Sequence, residues 1–315
     1  MKQQQFEQQY KDNWTEVAEL CDGRGDGTRL PLVYRALCQS LALARQRGYS
    51  PSLTEHLHTL VLRAHRSIYG TVPERPLALR DMVVRTFPQR VREEWRLFLV
   101  AFIAFWGVAG VVGYLAWYDP NWAYSFASPD DLDEFTRMYQ PDAARIGRGG
   151  SAGDVAMFGF YIWNNVSICF RTFAGGLFGG IPAIFSVVFN GVHGGVVAGW
   201  LTRNPATSIT FWSFVVTHSS FEITGLLLSA TAGMRLGLAL IRPGRLSRRH
   251  SLLQASRRAF PIVVGAALLT VIAAFFEAFW SATPSLPPQV KFTVGAICWA
   301  CVLGYFLFAG RRRAA

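Results

Sequence analysis

Apolar and polar positions are sorted along this chain into three regimes. Up to residue 69, apolar side chains recur every three or four positions among charged ones. Phe6, Tyr10, Trp14, Val17 and Leu20 form one such stripe, and Leu53, Leu57, Leu60, Val61, Ala64 and Ile68 form another, each predicting an amphipathic helix. The glycines of segment 22–27 end the first helix, Pro31 opens a second, and Ser50-Pro51 reads as the cap and first residue of a third. From Leu97 the apolar runs lengthen towards the roughly 20 residues that cross a bilayer. They cover 97–117, 155–170, 173–201, 209–241, 260–280 and 290–309. Between the first two lies a polar stretch, 119–154, in which Ser128-Pro129-Asp130-Asp131 predicts a short helix with acids at its start. Gly147, Gly149, Gly150 and Gly153 predict a flexible link after it, and the stretch as a whole reads as a solvated loop with a lid-like helix.

Charge turns this pattern into a topology. Eighteen of the 20 acids precede Val155, leaving only Glu222 and Glu277 beyond it, so the second half is built for a different solvent. The net charge of +11 is carried almost wholly by arginine, beside the apolar runs, which is a positive-inside bias and not a nucleic-acid surface. Arg80, Arg85, Arg90, Arg92 and Arg96 alternate with Leu79, Val83, Val84 and Phe87 as a basic amphipathic approach to the first span. Residues 242–258 hold six arginines and no acid, whereas 119–154 hold seven acids against three arginines. The expected protein is therefore all-α. It has a cytoplasmic helical domain (1–96), a first span (97–118), an acidic extracytoplasmic loop (119–154) and a membrane core bundle (155–315) with a cytoplasmic arginine loop at 242–258. Both termini fall in the cytoplasm after six crossings, Arg311-Arg312-Arg313 closing the last. Five crossings, with 155–170 re-entrant or interfacial, is the alternative. Breaks are expected at Asn164-Asn165, Gly191 and Gly225. The polar start, Met1-Lys2-Gln3-Gln4-Gln5, predicts no cleavable signal peptide.

Candidate chemistry concentrates between Phe158 and Arg242. Asn164, Asn165, Asn190, His218 and Glu222 lie in runs where an unsatisfied polar group costs several kcal/mol, so they are expected to face inward and find one another. His218 and Glu222, four apart, share a helical face. Arg171 and Arg235 are alternative partners for the carboxylate, Arg235 also being placed to snorkel to the cytoplasmic face. The amides suit either freed backbone groups or helix-to-helix bonds. Gly175 and Gly179, Gly176 and its fourth neighbour, Gly191 and its own, and Gly233 and Gly237 permit close helix contact within one chain or across a dimer. Arg242 and Arg245 suit lipid headgroups, and Glu277 with Trp280 suits the far-side interface. No catalytic set and no metal site is complete. His-x-x-x-Glu lacks the second histidine of a zinc protease, His58 and His65 have no ligand partner at spacing, and Cys298 and Cys301 read as packing. No cofactor is implied.

Several ordered motifs carry a family likeness. Phe160-Tyr161-Ile162-Trp163-Asn164-Asn165, Phe173-Ala174-Gly175-Gly176, Asn190-Gly191, His218-Ser219-Ser220-Phe221-Glu222, Ala232-Gly233-Met234-Arg235-Leu236-Gly237 and Phe276-Glu277-Ala278-Phe279-Trp280-Ser281 resemble the membrane core of the stage II sporulation protein M (SpoIIM) family. Arg63-Ala64-His65-Arg66-Ser67-Ile68-Tyr69 resembles the cytoplasmic helices of its non-sporulating bacterial members. Ser219 departs from the pattern, standing where the family usually has glycine. The resemblance implies an inner-membrane scaffold without enzymatic activity that assembles with envelope or cell-wall-remodelling partners. RDD-type membrane proteins and MoxR-type ATPases are the implied companions; membrane lipid around the bundle and a dimer, favoured by the small-residue faces and the short N-terminal domain, complete the expected partners. The alternative is a transporter or lipid-translocating protein whose pathway passes Asn165, Asn190, His218 and Glu222. That alternative requires a cavity reaching those side chains.

Overall fold

The computed structural model describes residues 1–69, 79–148 and 153–311. Gly149, Gly150, Arg312 and Arg313 therefore lie outside the described residues. Among the described residues all regular structure is helical, and the chain divides into two compact units, Met1–Leu77 and Ala78–Ala315.

The first unit is three helices, α1 (Gln3–Cys21), α2 (Leu30–Gln46) and α3 (Pro51–Tyr69). Their stripes meet as the periodicity requires: Phe6, Trp14 and Val17 pack with Leu37, Leu41, Leu57 and Leu60 in one core. Gly23 and Gly25 take positive φ of 79° and 107° at the end of α1, and Ser50 Oγ receives Leu53 N at 3.4 Å at the start of α3. The Tyr34, His65 and Tyr69 rings gather between α2 and α3, while Arg63 pairs with Asp22 at 2.7 Å.

The second unit begins with α4 (Leu79–Asp81), a π-helical turn (Met82–Thr86) and α5 (Phe87–Glu93). Phe87 and Val91 pack with Leu228, Ala232 and Ile262, and Arg92 donates to Phe306 O at 2.7 Å. The basic approach segment thus belongs to the membrane unit and not to the N-terminal helices, because its apolar face has a partner there. Then follow α6 (Trp95–Tyr118), α7 (Pro120–Tyr124), α8 (Pro129–Met138), α9 (Asp154–Gly175), α10 (Ile181–Thr202), α11 (Pro205–Ile241) and α12 (Arg248–Phe275). A π-helical segment (Phe276–Ser281) continues α12, and α13 (Pro288–Phe308) closes the unit.

Five of these helices, α6, α10, α11, α12 with its continuation, and α13, are long and apolar enough to cross a membrane. Helix α9 is a sixth rod beside them. Its 22 residues reach about 33 Å at 1.5 Å per residue, comparable with the hydrocarbon core. Arg148, just before it, donates to Ala278 O at 2.5 Å near the end of α12, while Gly176 at its other end packs on Gly233 of α11. Asp154, Asn164, Asn165 and Arg171 dilute its hydropathy without shortening it.

Three expectations are corrected here. The helices run unbroken through Asn164-Asn165, Gly191 and Gly225. These glycines serve approach instead of breakage: a Cβ on Gly191 would stand 2.8 Å from Phe105 O, and one on Gly225 2.7 Å from Thr270 Cγ2. The interruption falls at Gly179 and Gly180, whose φ of 75° and 85° turn the chain from α9 into α10. The arginine loop is short, since Ser247 caps α12 and residues 248–258 are helical. Nor is 119–148 a bare solvated loop. Leu132 and Tyr139 are buried, Tyr139 stacking edge-on against Phe211 and Phe214, and Trp200 Nε1 donates to Thr136 Oγ1 at 2.9 Å. The Ser128–Asp131 capping box starts α8, and Gly147 N donates to Met138 O at 2.8 Å.

Candidate functional site

Helix α11 is the axis of the bundle; its 37 residues extend about 55 Å, longer than a membrane core, so it tilts or protrudes. A Cβ on Gly195 would meet Ala109 O at 2.7 Å, and one on Gly233 would meet Phe173 O at 2.7 Å, so α10 lies close on α6 and α11 on α9. Gly175 meets Pro182, Gly179 meets Ile241, and Gly237 meets the Gly179-Gly180 backbone. These glycines are therefore used inside one chain, which removes them as an argument for a dimer.

Helices α6, α9, α10 and α11 also wall a cavity of about 530 Å³, within the usual range of about 300–1,000 Å³ for small-molecule sites. Asn165, Asn190, His218 and Glu222 all line it, and His193 joins them. Asn165 is 4% exposed; its Oδ1 accepts from Asn164 Nδ2 at 3.0 Å, but its Nδ2 is enclosed without a partner. Asn190 Nδ2 donates to Ser186 O at 2.8 Å. His218 is buried, with Nδ1 hydrogen-bonded to Ser281 Oγ at 3.1 Å and Nε2 3.9 Å from Glu222 Oε2. Glu222 keeps a 35% exposed side chain and, among the described residues, has no hydrogen bond.

Other positions fall elsewhere. Arg171 is exposed and bonds Ser167 O at 3.2 Å, and Arg235 pairs with Glu94 at 3.1 Å, so neither is the partner of Glu222. Arg235 ties α11 to the α5–α6 junction, its guanidinium held by the buried Glu94 carboxylate. Arg242 and Arg245 are exposed. Glu277 and Trp280 lie at the end of the α12 rod that Arg148 reaches. In the π-helical segment Glu277 turns inward, within electrostatic reach of Glu222 and Arg148, and faces Asn165 with Oε2 unpartnered; Trp280 Nε1 is likewise enclosed without a partner.

Sequence reading missed two buried cations, Arg148 and Lys291. Arg148 pairs with Asp154 at 2.7 Å, and Lys291 Nζ donates to Ser281 O at 2.8 Å. Lys291 had a signal, as the only lysine in the apolar half; Arg148, inside a glycine-rich link, had none. His193 had one too, lying three residues after Asn190 on the same helical face. Among the described residues no three His, Cys, Asp or Glu side chains gather as a metal site.

A family model described as Stage II sporulation protein M matches residues 97–282, more than half the chain. The chain belongs to the stage II sporulation protein M family. The match spans α6 to the end of the π-helical segment, so all four walls of the cavity lie in this member's family region. Residues 4–70 match a model described as a domain of unknown function (DUF8413), which coincides with the three-helix unit. An uncharacterized protein of Methanocaldococcus jannaschii is 35% identical over 75 residues, covering 23% of this chain and 41% of that protein. This SpoIIM-family chain thus spans less than half the length of that relative. No solved structure matches it.

Proposed function

We propose that this multi-pass membrane protein is a non-catalytic scaffold of the bacterial cytoplasmic membrane, assembling with envelope or cell-wall-remodelling partners. One observation carries the reading: the two ends of the bundle are folded surfaces of opposite charge. Arg85, Arg90, Arg92 and Arg96 lie where α5 meets the end of α13, the end from which α12 also starts with Arg248 and Arg249. Asp130, Asp133 and Glu134 stand exposed on α8 at the other. A positive-inside arrangement places the basic end, and both termini, in the cytoplasm. RDD-type membrane proteins, MoxR-type ATPases and a second copy of the chain are the partners to seek. Photo-crosslinking from position 133 and from position 90, with co-purification in mild detergent, tests it. Defined protein adducts at either end support the scaffold, and recovery of none overturns it.

Transport or lipid translocation is the second reading, favoured by the cavity at Asn165, Asn190, His218 and Glu222. Its lining reaches from Phe105 to Trp117 on α6 but stops short of the Gly176–Gly233 contact. Passage across the membrane therefore requires that contact to part. A cross-link between α9 and α11 there that leaves function unchanged would exclude it.

A further inference from the structure

We propose that the cavity binds a lipophilic amine, its protonated amino group at Glu222 and its apolar chain along α6 and α10. The inference deepens the cavity reading given above and stands apart from the scaffold. Glu222 is the sole acidic side chain lining the cavity, and neither Lys nor Arg lines it, among the described residues. His218 Nε2, at 3.9 Å from its Oε2, is too far for a hydrogen bond. A carboxylate at this depth without a hydrogen bond is costly, and an ammonium donating to it removes that cost.

The remaining walls select the rest of the ligand. Phe105, Trp106, Trp117, Phe211 and Trp212 give an apolar surface whose rings also attract a cation. From Phe211 to Leu226 the α11 wall runs about 22 Å at 1.5 Å per residue, long enough for an extended chain. A phosphate headgroup finds no Arg or Lys here, which argues against phospholipids and polyprenyl phosphates. A fatty acid would set its carboxylate against that of Glu222. The occupant is therefore a free long-chain amine dissolved in the bilayer.

Equilibrium binding to the full chain in phosphatidylcholine nanodiscs tests this without requiring any movement across the membrane. Dodecylamine, dodecanol and dodecanoate differ only in the head, and tryptophan fluorescence reports occupancy through Trp106, Trp117 and Trp212. Dodecylamine is expected to saturate at least about tenfold more tightly than dodecanol, with dodecanoate not binding. Glu222→Gln should erase the preference for the amine. Gly194→Leu should block all binding, because Gly194 lines the cavity and a Cβ there meets nothing within 4 Å. Equal binding of the three probes, an unchanged preference in Glu222→Gln, or full amine binding in Gly194→Leu would each overturn the proposal. Displacement of dodecylamine by phosphatidylethanolamine would assign the site to a phospholipid headgroup and overturn the free-amine commitment.

Discussion

Lys291 Nζ, on a residue 1% exposed, donates to the carbonyl of Ser281 at 2.8 Å. That carbonyl ends the long α12 rod, where helix carbonyls lack internal partners and attract a cation. The same Ser281 holds His218 through its hydroxyl, so one residue joins α11, α12 and α13. Lys291→Met keeps the volume and orphans the carbonyl, at a cost of about 1–3 kcal/mol. Thermal unfolding in detergent should show that loss; a gain would mean that the desolvation of the ammonium outweighs its bond.

Gly194 and Gly195 are neighbours with opposite tolerances. A Cβ at 195 meets the Ala109 carbonyl at 2.7 Å, whereas one at 194 meets nothing within 4 Å. Gly195→Leu should overpack the α6–α10 contact by about 1–3 kcal/mol or prevent folding. Gly194→Leu should leave the unfolding temperature unchanged or slightly raised. Similar losses at both sites would refute the close approach of these helices.

Arg235 and Glu94 form a pair in which the carboxylate is the more enclosed member. Arg235→Gln leaves Glu94 buried without its counter-charge and should destabilise by about 1–3 kcal/mol. Glu94→Gln in the same background should restore much of that loss. A double-mutant cycle in thermal unfolding measures the coupling, and additive losses would show that the pair does not interact.

The start of α8 should loosen in acid. Hydrogen bonds from Ser128 Oγ at 2.6 Å and Ser128 N at 3.3 Å hold the Asp131 carboxyl below its ordinary value of 3.8. A depressed carboxyl contributes stability that is complete above the ordinary value and disappears as pH falls through the lowered one. Hydrogen exchange over 129–138 should therefore be steady near neutrality and quicken, after correction for intrinsic rates, only below about pH 4. Ser128→Ala should speed it throughout and flatten that pH dependence.

What the sequence determined by itself was the solvent of each segment and the period of each helix. Long apolar runs, arginines at their ends and acids gathered almost wholly before Val155 are consequences of water and hydrocarbon, and every residue reports its preference independently. The inward placing of Asn165, His218 and Glu222 followed for the same reason, since polar groups avoid lipid tails. Tertiary structure alone decided which of them meet. Arg235 and Glu277 could not be assigned from spacing, because their neighbours Glu94, Asn165 and Arg148 lie far away in the sequence, at the α5–α6 junction, on α9 and in the stretch before it. Gly191 and Gly225 have the composition of a break and serve as contact points, a distinction made by what faces them. The cavity, too, is a property of four helices together, with Gly113, Gly195 and Gly199 of the α6–α10 contact among its walls, and no single stretch of the chain encodes it.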